Sequence, residues 1–267
     1  MAHFDTIVYH TSAARNGLTA VAIAAGETAY PANGVAGTGT LVYVKEDGWV
    51  FAVGTETAAA ANVAASRFHS TTDPDWLYWT QSPVTAQNAT GSGFRARMMN
   101  CAYGVRKGEQ VTAEVNNGNN AQVDSVGVCI AKGSKPPYYS DIPPANLPPG
   151  VMLVYATTAH TNVANTWTEG PLTFTNYNLD RNKKYRIWGA AVDGATLYWA
   201  RFAALDGEYR GHYPGLPGAD TAAGAIRPFV WSDDFPTFSG LNGMNVQLLS
   251  SGADTASNWL IAIEEIA

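Results

Sequence analysis

Charge is what this chain has least of. Its 267 residues include 16 Lys and Arg against 22 Asp and Glu, so only 14% are charged and the formal net charge is −6. No Lys/Arg cluster breaks that pattern, which argues against an electrostatic footprint for nucleic acid or for an anionic membrane surface. Direct nucleic-acid binding is therefore not expected. Cysteine is almost absent: Cys101 and Cys129 are too few for a disulfide scaffold and do not stand at metal-site spacing. No apolar run reaches the roughly 18 residues that a spanning helix needs. The opening stretch MAHFDTIVYH has neither the basic start nor the apolar segment of a secretory signal, so synthesis in the cytoplasm is expected.

Catalytic vocabulary is missing as well. The histidines, His3, His10, His69, His160 and His212, are scattered, with no pair at metal-ligand spacing. A duplicated cupin-type barrel would carry His-x-His and a following Glu in each half, and neither half does. There is no GxSxG, Walker loop or dinucleotide fingerprint, and GTGTL from Gly37 lacks the lysine and the helix of a phosphate cradle. Carboxylates neighbour one another at Asp73 and Asp75, Asp233 and Asp234, and Glu264 and Glu265. Adjacent residues of a strand point to opposite faces, however, whereas glycoside hydrolysis needs two carboxylates facing each other across a sugar. Asn88-Ala89-Thr90 is a glycosylation triplet that, without a signal segment, is read as incidental. The expectation is a chain that is not an enzyme, with no catalytic residue, no metal site and no cofactor.

What is present is apolar and turn-rich: 46% hydrophobic residues, 26 Gly, 14 Pro, 8 Trp, 13 Tyr and 9 Phe. This balance suits many short strands. In the first half the pattern predicts strands near Leu18–Ala24, Thr40–Val44, Trp49–Val53, Phe94–Tyr103, Gln110–Val115 and Val123–Ala131, with weaker signals at Thr6–His10 and Trp76–Thr80. In the second they fall near Val151–Thr157, Leu172–Tyr177, Lys184–Ala191, Thr196–Ala203, Ile226–Trp231, Asn245–Leu249 and Asn258–Ile266. Helical periodicity is scarce, and the best helical candidate is TETAAAANVAASRF (Thr55–Phe68), whose alanine run favours a helix of about three turns.

The chain also resembles itself. VTAEVNNGNNAQVDSVGVCIAK from Val111 and NVQLLSSGADTASNWLIAIEEI from Asn245 share one shape, and Arg67-Phe68 recurs as Arg201-Phe202. GFRARM from Gly93 resembles AIRPFV from Ala225, and GLTAVA from Gly17 aligns with GVMLVY from Gly150. LVYVKEDGWVFAVG from Leu41 likewise pairs with LTFTNYNLDRNKKYRIWGAAV from Leu172. In this register Cys129 stands where the second half has Ile263, as a small core residue. A common offset near half the chain length predicts an internal duplication. Between the copies lies KPPYYSDIPPANLPPG, with Pro136, Pro137, Pro143, Pro144, Pro148 and Pro149. Paired prolines fix φ, withhold donors and favour an extended path, so this run predicts a stiff connector. The expected architecture is all-β, with two tandem β-sandwich or jelly-roll domains at residues 1–133 and 150–267 joined by a Pro-rich connector at 134–149.

Aromatic residues cluster at matching places after each Arg-Phe step. DPDWLYW supplies Trp76, Tyr78 and Trp79, and GEYRGHYPGLPG supplies Tyr209 and Tyr213. Such residues suit an interface or a sugar-binding platform as well as a capped sandwich end. Taken with the duplicated strand pattern, the chain resembles the double jelly-roll major capsid proteins of tailless icosahedral viruses. That resemblance implies a structural virion protein, made in the host cytoplasm, whose homotrimers form pseudo-hexameric capsomers that assemble into an icosahedral shell. It also implies that the partners are other copies of the chain in the trimer and in neighbouring capsomers, together with other virion proteins or an internal membrane. The alternative is a carbohydrate-binding adhesin or virion spike, with a glycan as partner of Trp76, Trp79, Tyr209 and Tyr213. A sugar-active enzyme ranks third, because no converging carboxylates are in view.

Overall fold

The computed structural model describes residues 3–27, 39–57, 65–72, 79–81, 103–116, 124–132, 145–159, 161–193, 197–203, 216–217, 230–231, 237–250 and 257–266. By its internal contacts the chain divides into two compact units, one of Thr6–Pro136 and one of Pro137–Ala267 together with Met1–Asp5. Every regular element among the described residues is a strand.

The first half of the chain runs β1 (His3–Thr11), of which Thr6–Thr11 belong to the first unit, β2 (Thr19–Val21), β3 (Val42–Tyr43), β4 (Gly48–Thr57), β5 (Ala65–Ser70), β6 (Trp79–Gln81), β7 (Tyr103–Val105), β8 (Gln110–Asn116) and β9 (Asp124–Lys132). One sheet has the order β1-β9-β4-β7 and the other β2-β8-β5-β6. The short β3 pairs with Val111 and Gln110 of β8, alongside β2 on Ala113–Val115, so both line one edge of β8. With β2 and β3 counted as one place, the eight strands are ordered 1-8-3-6 and 2-7-4-5. This is jelly-roll wiring, two Greek keys folded over one core. The alternation of β8 and β9 turns Val111, Ala113, Val115, Val126, Val128 and Ile130 inward, where they meet Ile7, Tyr9 and Phe68 in one cluster. The Tyr9 and Phe68 rings lie 6.3 Å apart across the two sheets. The Tyr9 hydroxyl donates to the Val111 carbonyl at 3.3 Å. Burial first, and Glu27 second, push that phenol well above its ordinary pKa.

The second unit runs β10 (Val151–Thr158), β11 (Thr168–Pro171), β12 (Thr173–Phe174), β13 (Lys184–Asp193), β14 (Leu197–Ala203), β15 (Leu216–Pro217), β16 (Val230–Trp231), β17 (Thr237–Ser239), β18 (Asn245–Ser250) and β19 (Ser257–Ile266). Its sheets are β12-β10-β19-β13-β16, with β17 also on β13, and β11-β18-β14-β15. With the short additions β12 and β17 set aside, the order is again 1-8-3-6 and 2-7-4-5. Trp259 and Phe202, from opposite sheets, meet with ring centroids 5.1 Å apart, and Trp199, Tyr185, Ile187, Ile261 and Ile263 are buried.

One irregularity occurs in both units. Between β4 and β9, Val50 pairs with Ile130 and Ala52 with Cys129, so Phe51 is the extra residue of a bulge. Between β13 and β19, Ile187 pairs with Ile263 and Gly189 with Ala262, so Trp188 is the extra residue. The bulge falls in the same strand pair each time, and an aromatic residue occupies it each time.

Several expectations change at this point. The helix predicted over Thr55–Phe68 is not formed as such: Thr55–Thr57 end β4 and Ala65–Phe68 open β5, while residues 58–64 lie outside the described residues. With the bulge counted, the position of Cys129 in its unit corresponds to that of Ala262 in the other, not Ile263. GLTAVA and GVMLVY do not correspond, because the first lies on β2 and the second on β10, which hold different places in the strand order. The weak signal at Thr6–His10 is a full strand, whereas β11 and β17 gave no signal. Of the strand predicted at Phe94–Tyr103, only Tyr103 lies among the described residues, and of Ile226–Trp231 only Val230 and Trp231 do. The end of the proline run is a turn rather than an extended path. Val151 N–H donates to the Pro148 carbonyl at 3.1 Å, with Pro149 and Gly150 between them. Gly150 has φ 86°, the left-handed value that a turn with proline at its second position asks of its third residue.

Candidate interaction surface

The most polar constellations sit on β5 and β8 of the first unit and on β14 and β18 of the second. Arg67 stands opposite Glu114 in register, and Arg201 stands opposite Gln247. The phenylalanine after each arginine points into the core, so each arginine points out of its sandwich. Arg67 Nε–H donates to Glu114 Oε2, while His69 Nε2 lies 3.3 Å from Glu114 Oε1 and Nδ1 lies 2.9 Å from the Ser70 carbonyl. The second unit arranges the same elements differently. Arg201 Nε–H donates to Gln247 Oε1 at 2.7 Å, and Gln247 Nε2–H donates to Glu169 Oε2 at 2.9 Å. Asn245 Nδ2–H donates to Glu169 Oε1 at 2.8 Å, and the guanidinium lies 4.0 Å from the Trp167 ring centre. The carboxylate has moved one strand outward, from β8 to β11, where Glu169 pairs with Gln247 at the place Ala20 takes opposite Glu114.

Both clusters are charge-bearing hydrogen-bond networks. Arg201 is completely buried, and a buried guanidinium needs hydrogen-bonded partners and gains further from an aromatic face. The adjacent carboxylates of β19 are also engaged. Glu264 accepts from Trp188 Nε1–H at 2.9 Å and lies 3.7 Å from Arg186, while Glu265 lies 3.0 Å from Lys183 Nζ. Lys183 is held above its ordinary pKa, chiefly by its hydrogen bond to Glu265. Tyr177, near the same corner, is pushed up to about 12, first by desolvation, then by its hydrogen bond to Tyr185 and by the charges of Glu265 and Asp180. Among the described residues no three His, Cys, Asp or Glu side chains gather as a metal would require.

Among the described residues, part of the exposed apolar surface lies on β10. On β10, Val154, Ala156 and Thr158 are buried, whereas Leu153 is 46% and Tyr155 57% exposed. Their register partners on β19 are Ala262 and Leu260, so the outer face of this sheet carries a small uncharged patch. Leu147 is also exposed just before the Pro148 turn. The sequence reading did not single out this patch, although its signal is plain: LPPGVMLVYATT, Leu147–Thr158, holds no charge.

Of the aromatic residues expected to form a platform, Trp79 stands in β6 with its backbone opposite Phe68. Trp76, Tyr78, Tyr209 and Tyr213 lie outside the described residues, as do Pro136, Pro137, Pro143 and Pro144. Asp73, Asp75, Asp233, Asp234, His160 and His212 lie outside them too.

No known family model matches the sequence, and no curated protein does. Among solved structures the chain is similar to the major capsid protein P2 of bacteriophage PM2, at 8% identity and a TM-score of 0.23, over 100% of this chain and 98% of that one. It is similar, at 10% identity and a TM-score of 0.25, to an archaeal-virus protein described by its triple jelly-roll fold and turret assembly, over 99% of this chain and 59% of that one. A third similarity, at 8% identity and a TM-score of 0.21, is to the PBSX exported protein XepA, over 89% of this chain and 99% of that one. The architecture described above rests on the chain's own strand order and registers.

Proposed function

We propose that this chain is a structural virion protein, a major capsid protein built by duplication of one jelly roll. On this reading residues 1–133 and 150–267 are the two copies, 134–149 is the connector, and three chains form a pseudo-hexameric capsomer of an icosahedral shell. The observation that carries the reading is the doubled wiring with its shared bulge. Two chance sandwiches could agree in strand order, but a bulge is a local feature retained within families, and here it falls in one strand pair with an aromatic residue at each. A trimer of such chains presents six similar rolls, which is what tiling a shell with a single polypeptide asks for. Low charge and apolar outer patches suit assembly through large complementary surfaces. The arginine clusters tie neighbouring strands together through hydrogen bonds. Partners on this reading are further copies of the chain, with no glycan or nucleic acid required.

Light scattering coupled to size exclusion tests it. The purified chain is expected at three times its 28.4 kDa mass, with six-lobed particles in negative-stain micrographs. A strict monomer at high concentration, or binding to a glycan array that Trp79→Ala abolishes, would favour the adhesin reading instead.

A further inference from the structure

We propose that the free edge of β10 is a contact site for a second copy of this chain, the two β10 strands pairing antiparallel through Val151–Leu153 about a two-fold axis. Strand β10 is eight residues long, but its outer neighbour β12 is two residues long and pairs only with Ala156 and Thr157. Tyr155 just below is also covered, its N–H donating to Asn176 Oδ1 at 2.7 Å and its carbonyl accepting from Thr175 N–H at 2.9 Å. Backbone groups of a strand point alternately to its two sides. Leu153 and Val151 therefore face the same edge as Tyr155, below the end of β12. Among the described residues nothing pairs with the N–H or carbonyl of Leu153, while Val151 N–H is engaged by the Pro148 turn and leaves its carbonyl open.

An open edge of this kind invites another strand, and proteins ordinarily block it with charge, proline or a bulge. Here the side chains along it are uncharged from Leu147 to Thr158, and Leu153 and Tyr155 flank it with exposed apolar surface. The nearest charge in register, Glu264 opposite Val151, is held by Trp188 and Arg186. Nothing therefore repels an identical segment. A second copy fits because the edge is self-complementary, with a donor on Leu153 and acceptors on Leu153 and Val151. With Val151 of one chain opposite Leu153 of the other, each Leu153 N–H meets the carbonyl of the facing Val151. The turn at Pro148 then takes each chain away before it meets the residues covering Tyr155 of the other. The contact is pairwise and does not rest on the three-fold assembly proposed above.

Sedimentation velocity of the full chain over a range of concentrations tests it, with Leu153→Pro to remove the donor and Leu153→Lys to place like charges across the axis. The wild type is expected to show a reversible step that doubles the mass of its starting unit, whether monomer or trimer. Each variant should weaken that step by about tenfold or more while keeping the wild-type circular dichroism spectrum. If Leu153→Pro does not fold, Leu153→Lys alone decides. Absence of a doubling step, or folded variants that associate as tightly as the wild type, would overturn the inference. A trimer that never doubles sinks this contact and leaves the capsid reading standing. Chains that double but never reach three-fold mass do the reverse.

Discussion

Arg67 and Arg201 occupy the same register position in the two units, yet their surroundings ask different things of them. Arg67 is 29% exposed and paired with a carboxylate that is itself in partial contact with water, and solvent-screened pairs of this kind contribute about 1 kcal/mol or less. Arg201 is fully buried, linked through Gln247 to Glu169 and laid on the Trp167 ring. Its removal leaves the buried Gln247 carbonyl oxygen without its donor, while Glu169 stays exposed to water, which costs about 1–3 kcal/mol as for a buried acceptor left unpaired. Urea unfolding of Arg67→Ala and Arg201→Ala should therefore separate the two by several fold in free energy. Equal losses would show that burial is not what distinguishes them. The Arg-Phe step itself was visible in the sequence because it recurs. Its partners were not, since Glu169 is 78 residues from Gln247 and meets it only through the pairing of β11 with β18.

At the scale of elements, pairing overrode local preference. The alanine-rich TETAAAANVAASRF reads as helix by intrinsic propensity, but its ends are drawn into β4 and β5, where they gain register partners on β9 and β8. Strands with clean alternation, such as β8, β13 and β19, were legible for that reason. Two- and three-residue edge strands such as β12 and β17 are too short to carry a period, and a bulge leaves no mark in composition, which is how Cys129 came to be aligned one residue away from its counterpart. One loop position can be tested directly. A Cβ on Gly240, just after β17, would fall 2.1 Å from the Asp180 carbonyl oxygen and 3.1 Å from the Tyr185 ring. The Gly240 N–H also donates to the Lys183 carbonyl at 2.9 Å, so the turn cannot simply move away. Gly240→Ala should lower the unfolding free energy by about 1–3 kcal/mol, as overpacking does, read as a lower urea midpoint with the same slope. An unchanged midpoint would mean that this corner yields at no cost.

At the scale of the whole molecule, the repeated strand pattern was legible because both units follow one strand succession even where their side chains differ. The assignment of individual strands was less so, and GLTAVA matched to GVMLVY shows why: a glycine followed by apolar alternation describes any strand after a turn. The proline run is the feature whose role now turns on assembly. If it sets the placement of two rolls within a capsomer, its stiffness acts on association and not on either fold, since a flexible spacer lowers the effective concentration of one roll at its proper site. Replacing Pro136, Pro137, Pro143 and Pro144 by Ser, with the Pro148-Pro149-Gly150 turn left intact, separates those effects. Calorimetric unfolding should match the wild type, while the concentration needed for trimer or shell formation should rise, by about tenfold if the placement is worth a little over 1 kcal/mol. Unfolding that shifts together with assembly would place the run inside a folded unit, and assembly that is unaffected would remove stiffness from the account of how the two rolls work together.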